Sequence, residues 1–299
     1  MSGIISATAP CSWGVWWADG TPSKTPYRTF LDQAAAAGYQ SIELGPDGYL
    51  PAEESLLREE LEARKLTVCA GTACCQFDQQ ASFETFRPEI EALCRRIKAF
   101  DAKYLVTMDE SDVGLYSEKK DAFTTHQWED FLKKIHHMAQ FAEAEYGVEV
   151  LYHPHIKSMI ETETEITRLM EYTGLNLCFD TGHYAYVNGD GSRDETSVID
   201  FIRKFPERIK YLHFKNIAYD VFQKVRREHI DSDTAFDIDV MCDLADGIIN
   251  YKELKSVLDE IGYEGIGVIE QDMPRATAKQ AFAAAKRNLD YLRAINMVC

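Results

Sequence analysis

Three side chains at the ends of apolar segments carry the donor atoms of a divalent-metal site. Asp180 ends Cys-Phe-Asp, His213 follows Tyr-Leu, and Glu270 follows Val-Ile. Two carboxylates and an imidazole suit a borderline-hard cation such as Mn, Co, Mg or Zn. Three protein groups also leave positions open for a substrate to chelate the ion. Singly, these residues could be a turn cap, a core histidine and a solvated strand end. Their shared position at segment ends favours a metal centre.

The elements that must position these groups alternate regularly along the chain. Short β-branched or apolar segments predict strands, and longer segments of helical period predict helices. The predicted strands are 4–9, 41–44, 67–70, 104–107, 149–152, 176–179, 209–214 and 266–269. The predicted helices are 27–37, 52–64, 83–100, 125–145, 162–172, 195–204, 251–261 and 276–295. Eight strand–helix units of this kind predict an α/β fold, a single (β/α)8 TIM barrel over 1–299. We expect active-site loop excursions near 11–23, 45–52 and 219–249.

A doubly wound open sheet is the alternative fold. It would normally carry a GxGxxG turn after the first strand, and the segment Pro-Cys-Ser-Trp-Gly at 10–14 lacks that spacing. A barrel also requires its site to lie at the carboxyl ends of the strands. Ionisable residues do follow the predicted strands at those ends: Glu43, Asp109, Glu110, His153, His155, Asp180, His183, His213, Lys215, Glu270 and Asp272. The barrel is therefore the favoured fold.

The overall charge excludes several classes of partner. The 299 residues include 32 basic and 49 acidic side chains, which gives a formal charge of -17. Such a chain is poorly suited to track a phosphate backbone or an anionic membrane surface. The eight cysteines include no CxxC pair, so free thiols and a cytoplasmic location are expected. We expect a small-molecule substrate, no nucleic acid or membrane partner, and a homo-oligomer.

Four motifs resemble those of a known family. They are Tyr-His-Pro-His at 152–155, Phe-Asp-Thr-Gly-His at 179–183, Leu-His-Phe-Lys-Asn at 212–216 and Glu-Gln-Asp at 270–272. The chain resembles the xylose-isomerase-like TIM barrels, a group of sugar isomerases and epimerases. It is most similar to the inosose dehydratase-like members, which act in myo-inositol catabolism. The segment 42–51, Ile-Glu-Leu-Gly-Pro-Asp-Gly-Tyr-Leu-Pro, agrees with this resemblance.

The resemblance implies a divalent metal held by Asp180, His213 and Glu270. Where epimerases carry a glutamate at the end of strand five, this chain has His153. The dehydratase-like branch places a candidate slightly downstream, at Glu161. We rank Glu161 first as fourth ligand and keep His153 as the alternative. Glu161 could instead serve the start of the following helix, where the dipole favours a carboxylate.

The implied activity is a metal-dependent lyase reaction, the dehydration of an inosose (a keto-cyclitol). A ketose isomerase or epimerase on the same metal site is the alternative. Both reactions remove a proton beside a carbonyl and form an enediolate. Proton transfer is assigned to His153, His183 and Lys215, with His155 as a further candidate. Lys215 could instead be a surface lysine, and His183 could orient Asp180.

Substrate binding is assigned to Trp13, Trp17, Glu43, His155 and Asp272. Three of the four tryptophans lie in the loop after strand one. Aromatic faces pack well against the C–H faces of a sugar or cyclitol ring, and a carboxylate such as Glu43 accepts hydrogen bonds from its hydroxyls. A core or dimer-interface role for the tryptophans is the competing interpretation. An abasic-site endonuclease on this barrel is disfavoured by the acidic charge and by the presence of only eight histidines.

Overall fold

The computed structural model describes residues 3–78, 82–113 and 118–299. Its strands are β1 Ile4–Thr8, β2 Ser41–Glu43, β3 Thr67–Cys75, β4 Tyr104–Asp109, β5 Glu149–Tyr152, β6 Asn176–Asp180, β7 Ile209–Phe214, β8 Asn216–Ile217, β9 Met241–Cys242 and β10 Gly265–Ile269. Its helices are α1 Tyr27–Ala37, α2 Glu54–Glu62, α3 Phe83–Ala99, α4 Glu118–Asp121, α5 Thr125–Tyr146, α6 Glu163–Thr173, α7 Thr181–Asn188, α8 Ser197–Lys204, α9 Tyr219–Glu228, α10 Ser232–Asp237, α11 Tyr251–Glu260 and α12 Ala278–Ala294. Short 3-10 turns lie at Pro10–Trp13 and Pro206–Arg208.

Eight parallel strands close into a barrel in the order β1-β10-β7-β6-β5-β4-β3-β2. The predicted (β/α)8 fold is therefore confirmed. Alternate residues of each strand point into the barrel, where mostly compact side chains together with Tyr211 fill the centre. These are Ala7, Cys69, Val106, Leu151, Cys178, Tyr211 and Val268. The opposite strand faces pack against the helices in a larger core.

Local signals in the sequence explain where several helices begin and end. Thr124, Thr162 and Thr277 each form a capping box at the start of a helix. Gly38 and Gly147 end α1 and α5 in the left-handed conformation, which glycine adopts without a Cβ clash. Because these signals are local, most helix bounds lie within two residues of those predicted from sequence.

Several segments differ from the sequence-based expectation, and helices α4 and α7 were not predicted at all. β3 runs to Cys75 rather than stopping at residue 70, because its extension pairs with β4 as far as Asp109. The excursion near 219–249 is largely regular, since it contains α9, α10 and the strand β9, which pairs antiparallel with β8 just before the excursion. Phe222 and Val225 bury one face of α9, and Asp231 caps α10 through the Thr234 N–H group. Short amphipathic turns of this kind carry a weaker periodic signal than full-length helices.

All eight cysteines are free thiols. In the described part of the chain, no helix combines the length and the apolar character that crossing a membrane requires.

Candidate active site

Strand alternation brings the three predicted metal ligands to one end of the barrel. Cys178, Tyr211 and Val268 point into the barrel centre. The residues two positions later are Asp180, His213 and Glu270, so they point the same way, one layer closer to the carboxyl ends. Asp180 and His213 are also direct neighbours in the β6–β7 register. The geometry therefore assembles the cluster that the sequence pattern indicated.

The donor atoms of this cluster lie close together and are nearly inaccessible to solvent. His213 Nδ1 is 3.2 Å from Glu270 Oε2 and 3.8 Å from Asp180 Oδ2. Within the described residues, neither His213 Nδ1 nor Asp180 Oδ2 has a hydrogen-bond partner. Buried polar atoms without a partner are costly, and a cation that accepts their lone pairs removes that cost. The donor set therefore fits a divalent metal ion.

Lys215 provides the positive charge next to these carboxylates. Its Nζ lies 3.2 Å from Asp180 Oδ2, 3.2 Å from Glu270 Oε2 and 2.7 Å from Asp272 Oδ2. Burial by itself would lower the pKa of Lys215, but Asp180, Asp272 and Glu270 raise it well above its ordinary value. The side chain is thus held as an ammonium in the interior, and is not the surface lysine considered as an alternative.

Three further imidazoles lie beside the cluster. The ring of His183 is 4.2 Å from that of His155, and the rings of His153 and His213 are 4.7 Å apart. Burial is the main cause that lowers the pKa of His155 to about 3 and the pKa of His153 well below its usual range. Both rings are therefore neutral near pH 7 and able to accept a proton. His183 Nε2 is 3.1 Å from Lys215 Nζ and 3.5 Å from Asp272 Oδ2.

Glu43 reaches the cluster from the other side of the barrel. Its Oε1 lies 3.0 Å from His213 Nε2 and accepts a 2.8 Å hydrogen bond from the Tyr211 hydroxyl. The residue is only 3% exposed. The carboxylate that the sequence assigned to substrate hydroxyls is thus already engaged by two protein groups. Glu43, His213 and Glu270 can also offer ligand atoms within 4.8 Å of one another.

Glu161, ranked first as fourth ligand, has different partners. Its carboxylate accepts a hydrogen bond from Lys120 Nζ at 2.9 Å and from the Lys157 backbone N–H at 3.1 Å. Among the described residues, none of its hydrogen bonds or ion pairs involves Asp180, His213 or Glu270. The Glu161 carboxylate is therefore engaged by Lys120 of helix α4 and by the Lys157 backbone, and its assignment as fourth ligand stays a prediction.

The tryptophan loop divides between core and surface. Trp13 is fully buried, packs edge-on against Phe30 at 5.0 Å and donates from Nε1 to Gln33 at 2.6 Å. It contributes to the core, which was the competing interpretation. Trp17 is 57% exposed.

An aromatic contact near the site was missed by the sequence reasoning. Trp16 packs edge-on against Phe236 of α10 at 6.4 Å, and the Phe236 ring is 6.5 Å from that of His183. The excursions after β1 and β7 therefore meet beside the imidazoles. Trp16 could have been singled out from the sequence, because it lies in the predicted loop excursion 11–23. Phe236 likewise lies in a predicted excursion, 219–249, but nothing in its local sequence marked it as a partner for Trp16.

Comparisons with known proteins agree with the motifs. Residues 31–295 match the family described as xylose isomerase-like TIM barrel. A protein of Bacillus licheniformis named inosose dehydratase is 29% identical over 296 residues, covering 93% of this chain and 94% of the relative. A similar protein of Geobacillus thermodenitrificans, also named inosose dehydratase, is 28% identical and covers 93% of each chain.

A solved structure supports the fold. The IolI protein with a bound zinc atom superposes with a TM-score of 0.72 at 14% identity, covering 99% of each chain. At this identity the likeness concerns the fold alone. Because the family match extends over most of the sequence, the resemblance read from the four motifs is confirmed, and this chain belongs to the xylose isomerase-like TIM barrel family.

Proposed function

We propose that this chain is a divalent-metal-dependent hydro-lyase that removes water from an inosose or a similar keto-cyclitol. The observation that carries the proposal is the convergence of Asp180, His213 and Glu270 beside the buried Lys215 ammonium, with Asp180 Oδ2 and His213 Nδ1 lacking a hydrogen-bond partner among the described residues. The relatives named inosose dehydratase, which align along nearly their whole length, favour elimination among the reactions this site supports.

Asp180, His213 and Glu270 would hold the metal ion. A dication held there would supply the positive charge that the substrate's oxygens need as a proton is removed beside the carbonyl. For the fourth position, the contacts of Glu161 with Lys120 favour His153 instead. The His153 ring lies next to that of His213, and its Nδ1 is 3.3 Å from the Cys178 carbonyl oxygen. When Nδ1–H donates to that carbonyl, the Nε2 lone pair is available.

The proton transfers are assigned to groups that face the same space. The imidazole of His155 or His183 takes the proton from the carbon beside the carbonyl, and the C–H electron pair forms a C=C bond. The hydroxyl on the next ring carbon then departs and takes a proton from the Lys215 ammonium, so that water is released. Asp272, at 2.7 Å from Lys215 Nζ, keeps that ammonium oriented. The enol left behind tautomerises to a dicarbonyl compound.

Ring binding is assigned to the aromatic pair Trp16 and Phe236 and to the exposed Trp17. Aromatic faces beside hydrogen-bonding groups suit a cyclitol, which presents C–H faces and equatorial hydroxyls. His155, which is half-buried and has its ring 4.2 Å from that of His183, is suited to contact a substrate hydroxyl.

The test is incubation of Mn- or Co-loaded protein with 2-keto-myo-inositol. Growth of ultraviolet absorbance from a dicarbonyl product supports elimination. A new polyhydroxy ketone at constant absorbance would instead establish the isomerase or epimerase alternative. Glu270→Gln removes a proposed ligand and is expected to abolish turnover. Glu260→Gln, an exposed glutamate in an ion pair with Arg203, is the matched control and should retain full activity.

A further inference from the structure

We propose that Glu43 is a positioning residue that fixes which nitrogen His213 presents to the metal. This inference rests on the proposed function, since it assigns a role within the same metal centre. It replaces the expectation that Glu43 binds substrate hydroxyls.

The contact crosses the barrel interior. Glu43 ends β2, His213 lies on β7, and these strands are separated by β1 and β10 in the barrel order. Glu43 Oε1 nevertheless lies 3.0 Å from His213 Nε2, and both residues are 3% exposed. Such a buried and direct contact leaves no room for water between the two groups.

Glu43 Oε1 accepts the hydrogen bond of the Tyr211 hydroxyl and acts as acceptor toward His213 as well, which places a proton on His213 Nε2. A metal ion that binds His213 must then do so through Nδ1, once that nitrogen has given up any proton it carries. This Nδ1 is the nitrogen that has no hydrogen-bond partner in the described structure, and it faces Glu270 Oε2 at 3.2 Å. The Glu43 contact therefore selects the tautomer that can bind a metal between Asp180 and Glu270, and it increases the basicity of that nitrogen.

Tyr211 holds the carboxylate in place. Its hydroxyl donates to the same Oε1 atom at 2.8 Å and also lies 3.2 Å from Cys69 Sγ. Tyr211 and His213 are two residues apart on β7, so both rings lie on the inner face and approach Glu43 together. A carboxylate bound in this way by two neighbours is poorly placed to bind a substrate hydroxyl as well.

The experiment compares metal binding in the full chain of wild type, Glu43→Gln, Tyr211→Phe and the control Tyr104→Phe. Tyr104 also packs inside the barrel, with its ring 5.6 Å from that of Tyr211. We expect Glu43→Gln to weaken the affinity for Mn²⁺ or Zn²⁺ by about 10- to 100-fold, the usual effect of losing a carboxylate behind a ligand histidine. Tyr211→Phe should give a smaller loss, and Tyr104→Phe should bind as wild type does. Titration calorimetry measures these affinities without substrate.

Nitrogen-15 NMR of the Zn²⁺-loaded protein gives an independent readout. The proposal expects metal-bound Nδ1 and protonated Nε2 at His213 in the wild type. It is overturned if His213 binds through Nε2, or if Glu43→Gln retains wild-type affinity and only raises KM for the substrate. It is equally overturned if the Co²⁺ absorption spectrum of Glu43→Gln shows loss of a directly bound ligand. If the wild type shows the expected binding and tautomer but does not dehydrate 2-keto-myo-inositol, the proposed function fails while this inference stands.

Discussion

Asp180 caps a helix with one carboxylate oxygen and is proposed to bind the metal ion with the other, and these two tasks can be separated by substitution. Oδ1 accepts a 2.8 Å hydrogen bond from the His183 backbone N–H and so caps α7. Oδ2 has no hydrogen-bond partner among the described residues and points toward Lys215 and His213. Asp180→Asn retains an oxygen for the cap but loses the anionic ligand. Asp180→Ala loses both.

The expected magnitudes follow from these contacts. Without metal, Asp180→Asn should change the free energy of unfolding by no more than about 1 kcal/mol, since Lys215 keeps two other carboxylate partners. Asp180→Ala should lose a further ~0.5–2 kcal/mol with the cap. At a metal concentration 100 times the wild-type Kd, the wild type gains about 2.7 kcal/mol of stability. A variant that binds 100-fold more weakly gains only about 0.4 kcal/mol under the same conditions.

The assay is chemical denaturation with and without Mn²⁺, with a chelator in the metal-free samples. Asn250→Ala is the matched control, because Asn250 caps α11 and does not contact the metal cluster. It should lose a comparable capping energy and retain the full metal-dependent gain. If Asp180→Asn also gains the full 2.7 kcal/mol or so, Asp180 is not a ligand and the proposed centre is wrong.

Three further predictions test neighbouring features. Lys215→Met should reduce turnover by about 10²- to 10⁴-fold without weakening metal binding, because its ammonium competes with the ion for the carboxylates, as paired kinetics and calorimetry would show. Trp13→Ala should lower the free energy of unfolding by about 3–5 kcal/mol, whereas Trp17→Ala should change it by less than ~0.5 kcal/mol and mainly raise KM. Burial raises the pKa of Asp109 to about 6. The protonated carboxyl therefore contributes stability that is fully present below about pH 4, and this contribution is lost as the pH rises through 6. The wild type should thus lose about 3 kcal/mol of unfolding free energy across this pH range, as measured by chemical denaturation, and Asp109→Asn should not show that loss.

Each of these has a clear contrary outcome. Weaker metal binding by Lys215→Met than by the wild type would mean that the lysine supports the ion rather than competing with it. Equal stabilities for the two tryptophan variants would contradict the assignment of Trp13 to the core. An unchanged pH profile in Asp109→Asn would show that the buried carboxyl does not titrate in this window.

The fold could be predicted because its signals are local. Helical periodicity, capping threonines and terminal glycines act within a few residues, and eight repeats of the strand–helix unit leave few ways to bury the strands. The end of β3 and the helices α9 and α10 were missed because their local signals are weak. The extension of β3 is stabilised by its pairing with β4, and α10 is only one to two turns long.

The convergence of Asp180, His213 and Glu270, the proposed metal ligands, could also be predicted from sequence, since it follows from strand parity. Parallel strands end at the same mouth of a barrel, and residues two positions apart share a face, so Asp180, His213 and Glu270 must point together. Strand parity thus shows which positions meet, but it does not show which charged side chains pair with each other.

The pairing of charges was decided by the tertiary structure alone. Glu161 contacts Lys120, 41 residues away, and Glu43 contacts His213, 170 residues away. Neither partner could be read from spacing, because each contact depends on how the closed barrel and its loops direct two buried side chains. The sequence by itself therefore determined the barrel and the three residues at its mouth. Burial and side-chain direction decided which carboxylates remain free to bind a metal ion, since a buried carboxylate must find whichever cation or donor the fold brings within reach.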